Sequence, residues 1–516
     1  MAELAYIPKA AHHVARACFV VIAAASCKAI DSSPAKSLDA NELSTAAVGE
    51  TWPKEQQRRQ DAFVRYLEEN RTQYEAFQIA PVGTRGIPAA LFRELPKVFP
   101  DLWGPAALRD KLGMHPGPDG LPRELRLGHT STGEEYFSFS CATCHTGVVR
   151  IAGVESDIPG APSNTLDLHG YRHQWYLTVT DPRFSAANLP EAAPLLEAFK
   201  TSVVATEESV HHWLGNGGYV DDPKLLEGGV PGVQDAFGLT VVNMLVRPAA
   251  AAASPASDVS SLLPSKASLA DIMSVWQQGQ RHLSQWDGSI SARLIRNLGA
   301  ELGVMGNPQY VDFANARLLT PFVAGWPAPV YPFAVDRAKA TAGEAIFTQS
   351  CRGCHDQEAL LPVGAIGTDP GRALVVTPAA RTGLIKALKA SCLDPAEPGC
   401  QVTDDEVLAN RSAPGYVALP LAGIWARAPY LHNGSVPTLF HLLVPGSRPA
   451  VFQRGSADYD QDKVGFVWTT GGKDVSTHRP GLANSGHADP SVFFGGHDFA
   501  SEPAKLEALL EYLKTL

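Results

Sequence analysis

Apolar residues follow two different rhythms along this chain. Near the start, Ala17-Cys18-Phe19-Val20-Val21-Ile22-Ala23-Ala24-Ala25 is an unbroken apolar run preceded by Lys9 and Arg16. It is too short to span a bilayer, and its charge-then-apolar order predicts an export leader over residues 1–27. The run closes on Ala24-Ala25-Ser26-Cys27, which resembles a lipobox with Cys27 as the acylated residue; an ordinary signal peptide cut near the same place fits equally. Residues 28–50 are rich in Ser, Ala and Asp and predict a tether. From Glu55 to Phe77 the rhythm becomes helical, with Phe63, Tyr66, Leu67 and Tyr74 on one face. Ala338–Ser350 predicts a second helix running straight into Cys351, with Ala345, Ile346 and Phe347 free to pack. The last residues, Leu506 to Lys514, place apolar side chains at i, i+3, i+4 and i+7 and predict an amphipathic helix. Ala249–Ser268 is an Ala/Ser/Pro stretch that predicts an exposed loop.

Composition narrows the class. A chain of 516 residues is long enough for two or three domains. Hydrophobic content of 45% with 19% charged residues describes a globular protein, and no segment after the leader is apolar enough to cross a membrane. The net charge of −10, from 53 acids against 43 bases, argues against nucleic acid as a partner. Gly 45 and Pro 40 are high counts and suit long loops wrapped around cofactors.

The chemistry concentrates in two pentads, Cys141-Ala142-Thr143-Cys144-His145 and Cys351-Arg352-Gly353-Cys354-His355. Two thiols on one helical turn can add to the two vinyl groups of a haem, and the adjacent imidazole then lies under the porphyrin as the proximal iron ligand. A zinc site normally brings its cysteine pairs close together, whereas 206 residues lie between Cys144 and Cys351. A thioredoxin-type pair does not call for the following His. The expectation is two covalent haem c groups. Of the 8 Cys, Cys18 and Cys27 belong to the leader. Cys392 and Cys400 close a short Pro/Gly-rich segment that predicts a local disulfide in an oxidising compartment, two free thiols being the other reading.

The five Met are Met1, Met114, Met244, Met273 and Met305. None follows the second pentad, so haem 2 cannot take a Met sulfur from its own domain. The candidates for its sixth ligand are His432, His441, His478, His487 and His497. His487 is favoured because Gly486 before it lets backbone approach the porphyrin edge, with His497, also after a Gly, next. For haem 1, His169 and His173 lie close after the pentad.

A helix carrying an aromatic residue before the pentad, crossed by a C-terminal helix ending Tyr-Leu-Lys, resembles the class I cytochrome c domain. The order haem 1, then Gln285-Trp286-Asp287-Gly288-Ser289, then haem 2, then Pro429-Tyr430-Leu431-His432-Asn433-Gly434 resembles the dihaem cytochrome c peroxidase superfamily. Within it, the rubber-oxygenase-like branch is the most similar. Pro231-Gly232-Val233-Gln234-Asp235-Ala236-Phe237 also looks like that branch. The resemblance implies a mainly α fold of two cytochrome c-like haem domains with extensive loops, residues 51–330 and 331–516. It implies Trp286 as an electron relay between the haems and Glu301 as an acid–base group on the distal side of haem 1. A Glu on a helix is otherwise most often a solvated surface carboxylate.

The function expected is an exported dihaem oxidoreductase, haem 1 activating peroxide or dioxygen and haem 2 passing electrons to or from a periplasmic redox protein. The alternative is a non-catalytic electron-transfer cytochrome; a haem-based sensor is a third class that no residue specifically supports. The location expected is periplasmic or extracellular, with a lipid anchor at Cys27 under the lipobox reading. The two-domain arrangement also leaves room for a calcium ion between the domains.

Overall fold

The computed structural model describes residues 51–82, 86–115, 121–129, 133–217, 229–234, 268–303, 311–390 and 414–516. The leader, the tether, most of the Ala/Ser/Pro stretch and the Cys392–Cys400 segment lie outside the described residues. Among the described residues, no helix is long and apolar enough to cross a membrane.

The helical stretch expected from Glu55 to Phe77 is two helices, Trp52–Glu69 and Arg71–Ile79. They part at Asn70, whose side-chain Nδ2 donates to the Tyr66 carbonyl at 2.9 Å and competes with the backbone ladder there. Tyr66 and Phe77 then meet Phe322 of the helix Phe313–Gly325 and Trp326, which caps it. Tyr66 stacks on Phe322 at 5.7 Å between ring centroids, and Phe77 stands edge-on to Trp326 at 5.0 Å. The same apolar cluster continues through Tyr331 and Trp425 to Leu509 and Leu513, so one core unites residues on both sides of position 330. Polar bonds reinforce it: Trp52 Nε1 donates to the Phe333 carbonyl at 3.1 Å and Arg59 to the Thr515 carbonyl at 2.6 Å.

Helices Arg337–Ser350 and Pro503–Thr515 fall where the periodicity puts them, extended by a residue or a few. The first begins at Asp336, whose carboxylate accepts the N–H groups of Ala338 and Lys339 as a helix cap. They cross at Gly343, where a Cβ would sit 2.0 Å from the Ala508 carbonyl oxygen, so only a residue without a side chain allows the approach. Phe347 and Tyr512 close the crossing with ring centroids 5.2 Å apart.

A second apolar cluster holds Phe92, Trp103, Tyr171 and Trp175. It packs the helix Leu168–Thr180 against a three-stranded antiparallel sheet formed by Ile87–Pro88, Glu135–Phe139 and Leu125–His129. The remaining sheets are short two-stranded ribbons. The fold is mainly α, as expected, and some of the expected loop is ribbon: Val451–Arg454, for instance, pairs with Lys473–Ser476.

Candidate haem sites

The first pentad forms a single helical turn, Cys141–Cys144, fixed from its middle residue. Thr143 Oγ1 accepts the Ser140 N–H at 3.0 Å and donates to the Glu124 carbonyl at 2.7 Å. The chain leaving the turn is held as well, the His145 carbonyl accepting from Gly160 N at 2.8 Å. The second pentad continues the Arg337–Ser350 helix, with Cys351 N bonded to the Phe347 carbonyl at 2.8 Å and His355 N to the Cys351 carbonyl at 3.2 Å.

Each pentad histidine is anchored in the same way. His145 Nδ1 donates to the Met273 carbonyl at 2.8 Å, and His355 Nδ1 donates to the Leu419 carbonyl at 2.8 Å. A carbonyl only accepts, so the proton sits on Nδ1 and the Nε2 lone pair is free to bind a metal. Burial holds both rings neutral. The His145 pKa is lowered to about 4, with Arg296 adding to the effect, and that of His355 is lowered as well.

The thiols of Cys141, Cys144 and Cys351 behave as protected groups. Burial raises Cys144 to about 12 and Cys351 to about 11, and it raises Cys141 further. Reactive redox pairs have depressed values, so these are unlike thioredoxin-type thiolates. Among the described residues no group of three or more His, Cys, Asp or Glu side chains is placed to hold a metal ion.

Buried cations surround the histidines. Arg296 lies close enough to depress His145 and has a buried Nη1 with no hydrogen-bond partner. Arg427 depresses His355 and has a buried, unpartnered Nε, while its Nη1 donates to the Pro420 carbonyl at 2.8 Å. Orphaned guanidinium donors beside a free imidazole Nε2 and two thiols fit a haem, whose propionates are anionic acceptors.

Of the axial candidates, His487 is the one at which the charge of His355 is felt: its pKa is lowered to about 3, by burial first and His355 second. Its backbone is left-handed at φ 58°, its ring stacks on Phe493 at 4.4 Å, and its Nδ1 is buried without a partner. His432 has both ring nitrogens occupied, Nε2 by the Tyr416 hydroxyl at 3.1 Å and Nδ1 by Thr368 Oγ1 at 3.5 Å. His497 meets Glu502 at 2.8 Å, His441 meets Thr438 Oγ1 at 2.7 Å, and His478 is exposed. Around haem 1, His173 bonds Glu207 at 3.1 Å beside Arg172, while the charges acting on His145 are Arg296 and Arg281.

Glu301 is buried, so the solvated-acid expectation fails. It lies in the last turn of the helix Arg293–Gly303, with Oε2 accepting the Asp312 N–H at 2.7 Å, and its charge is felt at Cys141. Burial raises its pKa to about 8. Trp286 is half-buried among Met273, Val417 and Leu419. Its Nε1 donates to the Asp271 carbonyl at 2.8 Å, and its own carbonyl accepts Val417 N–H at 2.9 Å. It therefore touches the strands that anchor both histidines. The anchors Met273 and Leu419 were missed from the sequence because they act through backbone carbonyls.

Residues 415–453 match a family model described as RoxA-like, cytochrome c-like. The matched segment contains Val417, Leu419, Arg427 and His432, so the chain has a cytochrome c-like domain, which implies covalent haem c with iron. The chain is similar to two uncharacterised proteins of Sinorhizobium fredii (strain NBRC 101917 / NGR234). It is 40% identical to y4iM over 49% of this chain and 26% identical to y4iJ over 73%. The matches span 66% and 76% of those proteins, just under two thirds of the first. Neither relative's name carries an activity.

Proposed function

We propose that this chain is an exported dihaem c-type oxidoreductase of the rubber-oxygenase-like cytochrome branch. In this reading Cys141, Cys144 and His145 hold a haem that meets peroxide or dioxygen, and Cys351, Cys354, His355 and His487 hold one that exchanges electrons with a partner protein. The matched hydrogen bonds from His145 to Met273 and from His355 to Leu419 carry the reading. Each fixes the tautomer and ring direction that an axial nitrogen ligand needs. When bound, haem c would supply an iron that exchanges single electrons between its ferric and ferrous forms.

The chain's own residues divide the remaining work. Arg296 and Arg427 offer unpaired N–H groups to propionates. Glu301, protonated at neutral pH by its burial, holds a proton beside the Cys141 edge and can give it up and take it back. The Trp286 ring, packed on both anchoring strands, offers an aromatic step between the two sites. His487, held neutral by burial with an unpartnered Nδ1, would offer a nitrogen to the second haem.

Intact mass and the EPR spectrum of the oxidised protein test this reading together. The expected result is a mass increased by two haems, with one low-spin and one high-spin ferric signal. Two low-spin signals support the electron carrier instead, and a mass without haem removes both readings.

A further inference from the structure

Trp276 Nε1 donates to the carbonyl of Ala422, 146 residues further on, at 2.9 Å. That offset repeats through the surrounding structure. It relates Met273 to Leu419, the carbonyls that anchor the two histidines. It relates Arg281 to Arg427. Arg281 donates to the carbonyls of Ser274 and Trp276 at 3.1 and 3.3 Å, and Arg427 donates to the equivalent carbonyls of Pro420 and Ala422 at 2.8 and 2.5 Å. It also relates the turn Ser284-Gln285-Trp286-Asp287-Gly288-Ser289-Ile290 to Tyr430-Leu431-His432-Asn433-Gly434-Ser435-Val436. Each turn is closed by a bridge between its end residues, Ser284 with Ile290 and Tyr430 with Val436. Each has left-handed residues at its second and fifth positions: φ is 67° at Gln285 and 60° at Gly288, 68° at Leu431 and 62° at Gly434. In each, the Asp or Asn side chain accepts the N–H of the Ser two residues on. The chain therefore contains two copies of one unit: histidine-anchoring strand, buried Arg, tight turn.

The copies bond to each other crosswise. In the first copy the Trp286 ring donates to Asp271 of its own strand, but the Trp286 carbonyl accepts from Val417 of the other copy's strand at 2.9 Å. In the second copy the His432 ring meets Tyr416 of its own strand, but the His432 carbonyl accepts from Asp271 of the first copy's strand at 2.7 Å. Val417 lies two residues before the carbonyl that holds His355, and Asp271 two residues before the carbonyl that holds His145.

We propose that the two turns are positioning elements acting in trans: the 284–290 turn holds the strand that orients His355, and the 430–436 turn holds the strand that orients His145. Each copy thereby sets the geometry of the other copy's metal ligand. The part concerning the irons rests on the dihaem reading above; the crossed backbone bonds do not.

The test uses full-length, haem-loaded protein. Gly288→Ala places a Cβ where φ is left-handed and loosens the turn without removing a side chain, and Gly288→Asn, which tolerates that region, is the rescue. Amide exchange read on peptides covering 269–273 and 415–419 should quicken at Val417 by about tenfold or more, as for one lost hydrogen bond, with Asp271 changed by less than about threefold. Gly434→Ala should do the reverse. It also presses on Arg454, so Gly288→Ala decides. In a redox titration followed by EPR, Gly288→Ala should shift the reduction equilibrium of the His355 iron more than that of the His145 iron, and Gly288→Asn should restore it. Faster exchange at Asp271 first, or at both strands alike, overturns the crossed arrangement. Crossed exchange with an unmoved His355 iron overturns its role in positioning the ligands. A wild-type mass lacking two haems overturns the dihaem reading and the iron part with it, while the exchange result still stands or falls alone. If Gly288→Ala does not fold, Ser289→Ala, which removes only the hydroxyl bond to Asp287, makes the same measurement.

Discussion

Glu301 Oε2 and the backbone N–H of Asp312 form a 2.7 Å hydrogen bond that is too weak to offset the burial of the carboxyl group, so the acid is raised to about 8. A folded value above the unfolded one of about 4.3 means the folded state binds the extra proton. The stability tied to that proton is fully present below about 4.3 and is lost as pH rises through 8. Glu301→Gln removes the titration, so the melting temperature of the variant should gain on wild type between pH 5 and pH 8. Parallel melting curves across that range would show that Glu301 does not titrate there.

The same substitution reads the chemistry. If Glu301 shuttles the proton of bound peroxide, Glu301→Gln should retain both haems and lose about 10²–10⁴-fold in peroxide turnover. Turnover within about threefold of wild type, well below that contribution, would reduce Glu301 to a buried structural acid.

At the second site, His487→Ala should convert one low-spin ferric signal to high-spin and leave the haem mass unchanged. His497→Ala, whose ring is engaged by Glu502, should leave the EPR spectrum as it is. An unchanged spectrum in His487→Ala would assign the sixth position to another group.

Asp271 and Arg454 form a buried ion pair that joins the first histidine-anchoring strand to the Val451–Arg454 ribbon, and Arg454 also donates to the Gly434 carbonyl at 3.3 Å. Arg454→Met leaves a buried acid alone and should cost about 3–5 kcal/mol in denaturant unfolding. Adding Asp271→Asn should recover part of that loss, since an amide without its partner is less costly to bury than a charge.

The crossing of the Arg337–Ser350 and Pro503–Thr515 helices gives a prediction independent of any cofactor. Gly343→Ala drives a methyl group into the Ala508 carbonyl and should destabilise the protein by about 1–3 kcal/mol. Gly353→Ala, in open space within the second pentad, should be tolerated far better.

Local patterns were readable where local physics decides. Both pentads, the helix running into Cys351 and the C-terminal helix follow from spacing alone, and each is where its residues place it. The break at Asn70 was not, because a side-chain amide turning back on Tyr66 leaves no mark on apolar periodicity. Residue type alone favours a solvated surface acid at Glu301, against the acid–base role that the resemblance implies; its burial comes with the Asp312 N–H that it accepts. Met273 and Leu419 carried no signal, since a carbonyl is the same in every residue. The duplication did leave one: Trp-Asp-Gly-Ser-Ile and His-Asn-Gly-Ser-Val share their glycine, serine and branched end. Comparing the two pieces with each other, rather than with a family, would have exposed the repeat.

The backbone anchoring of the two histidines also bears on how such a chain can change over time. Because the acceptors at 273 and 419 are main-chain oxygens, drift in the side chains there leaves ligand orientation intact. Positions 273 and 419 are free to exchange thioether for hydrocarbon, as Met and Leu already do here. A methionine found at such a place should accordingly be read as packing, as Met273 is here against Val417 and Leu419, and not as an iron ligand.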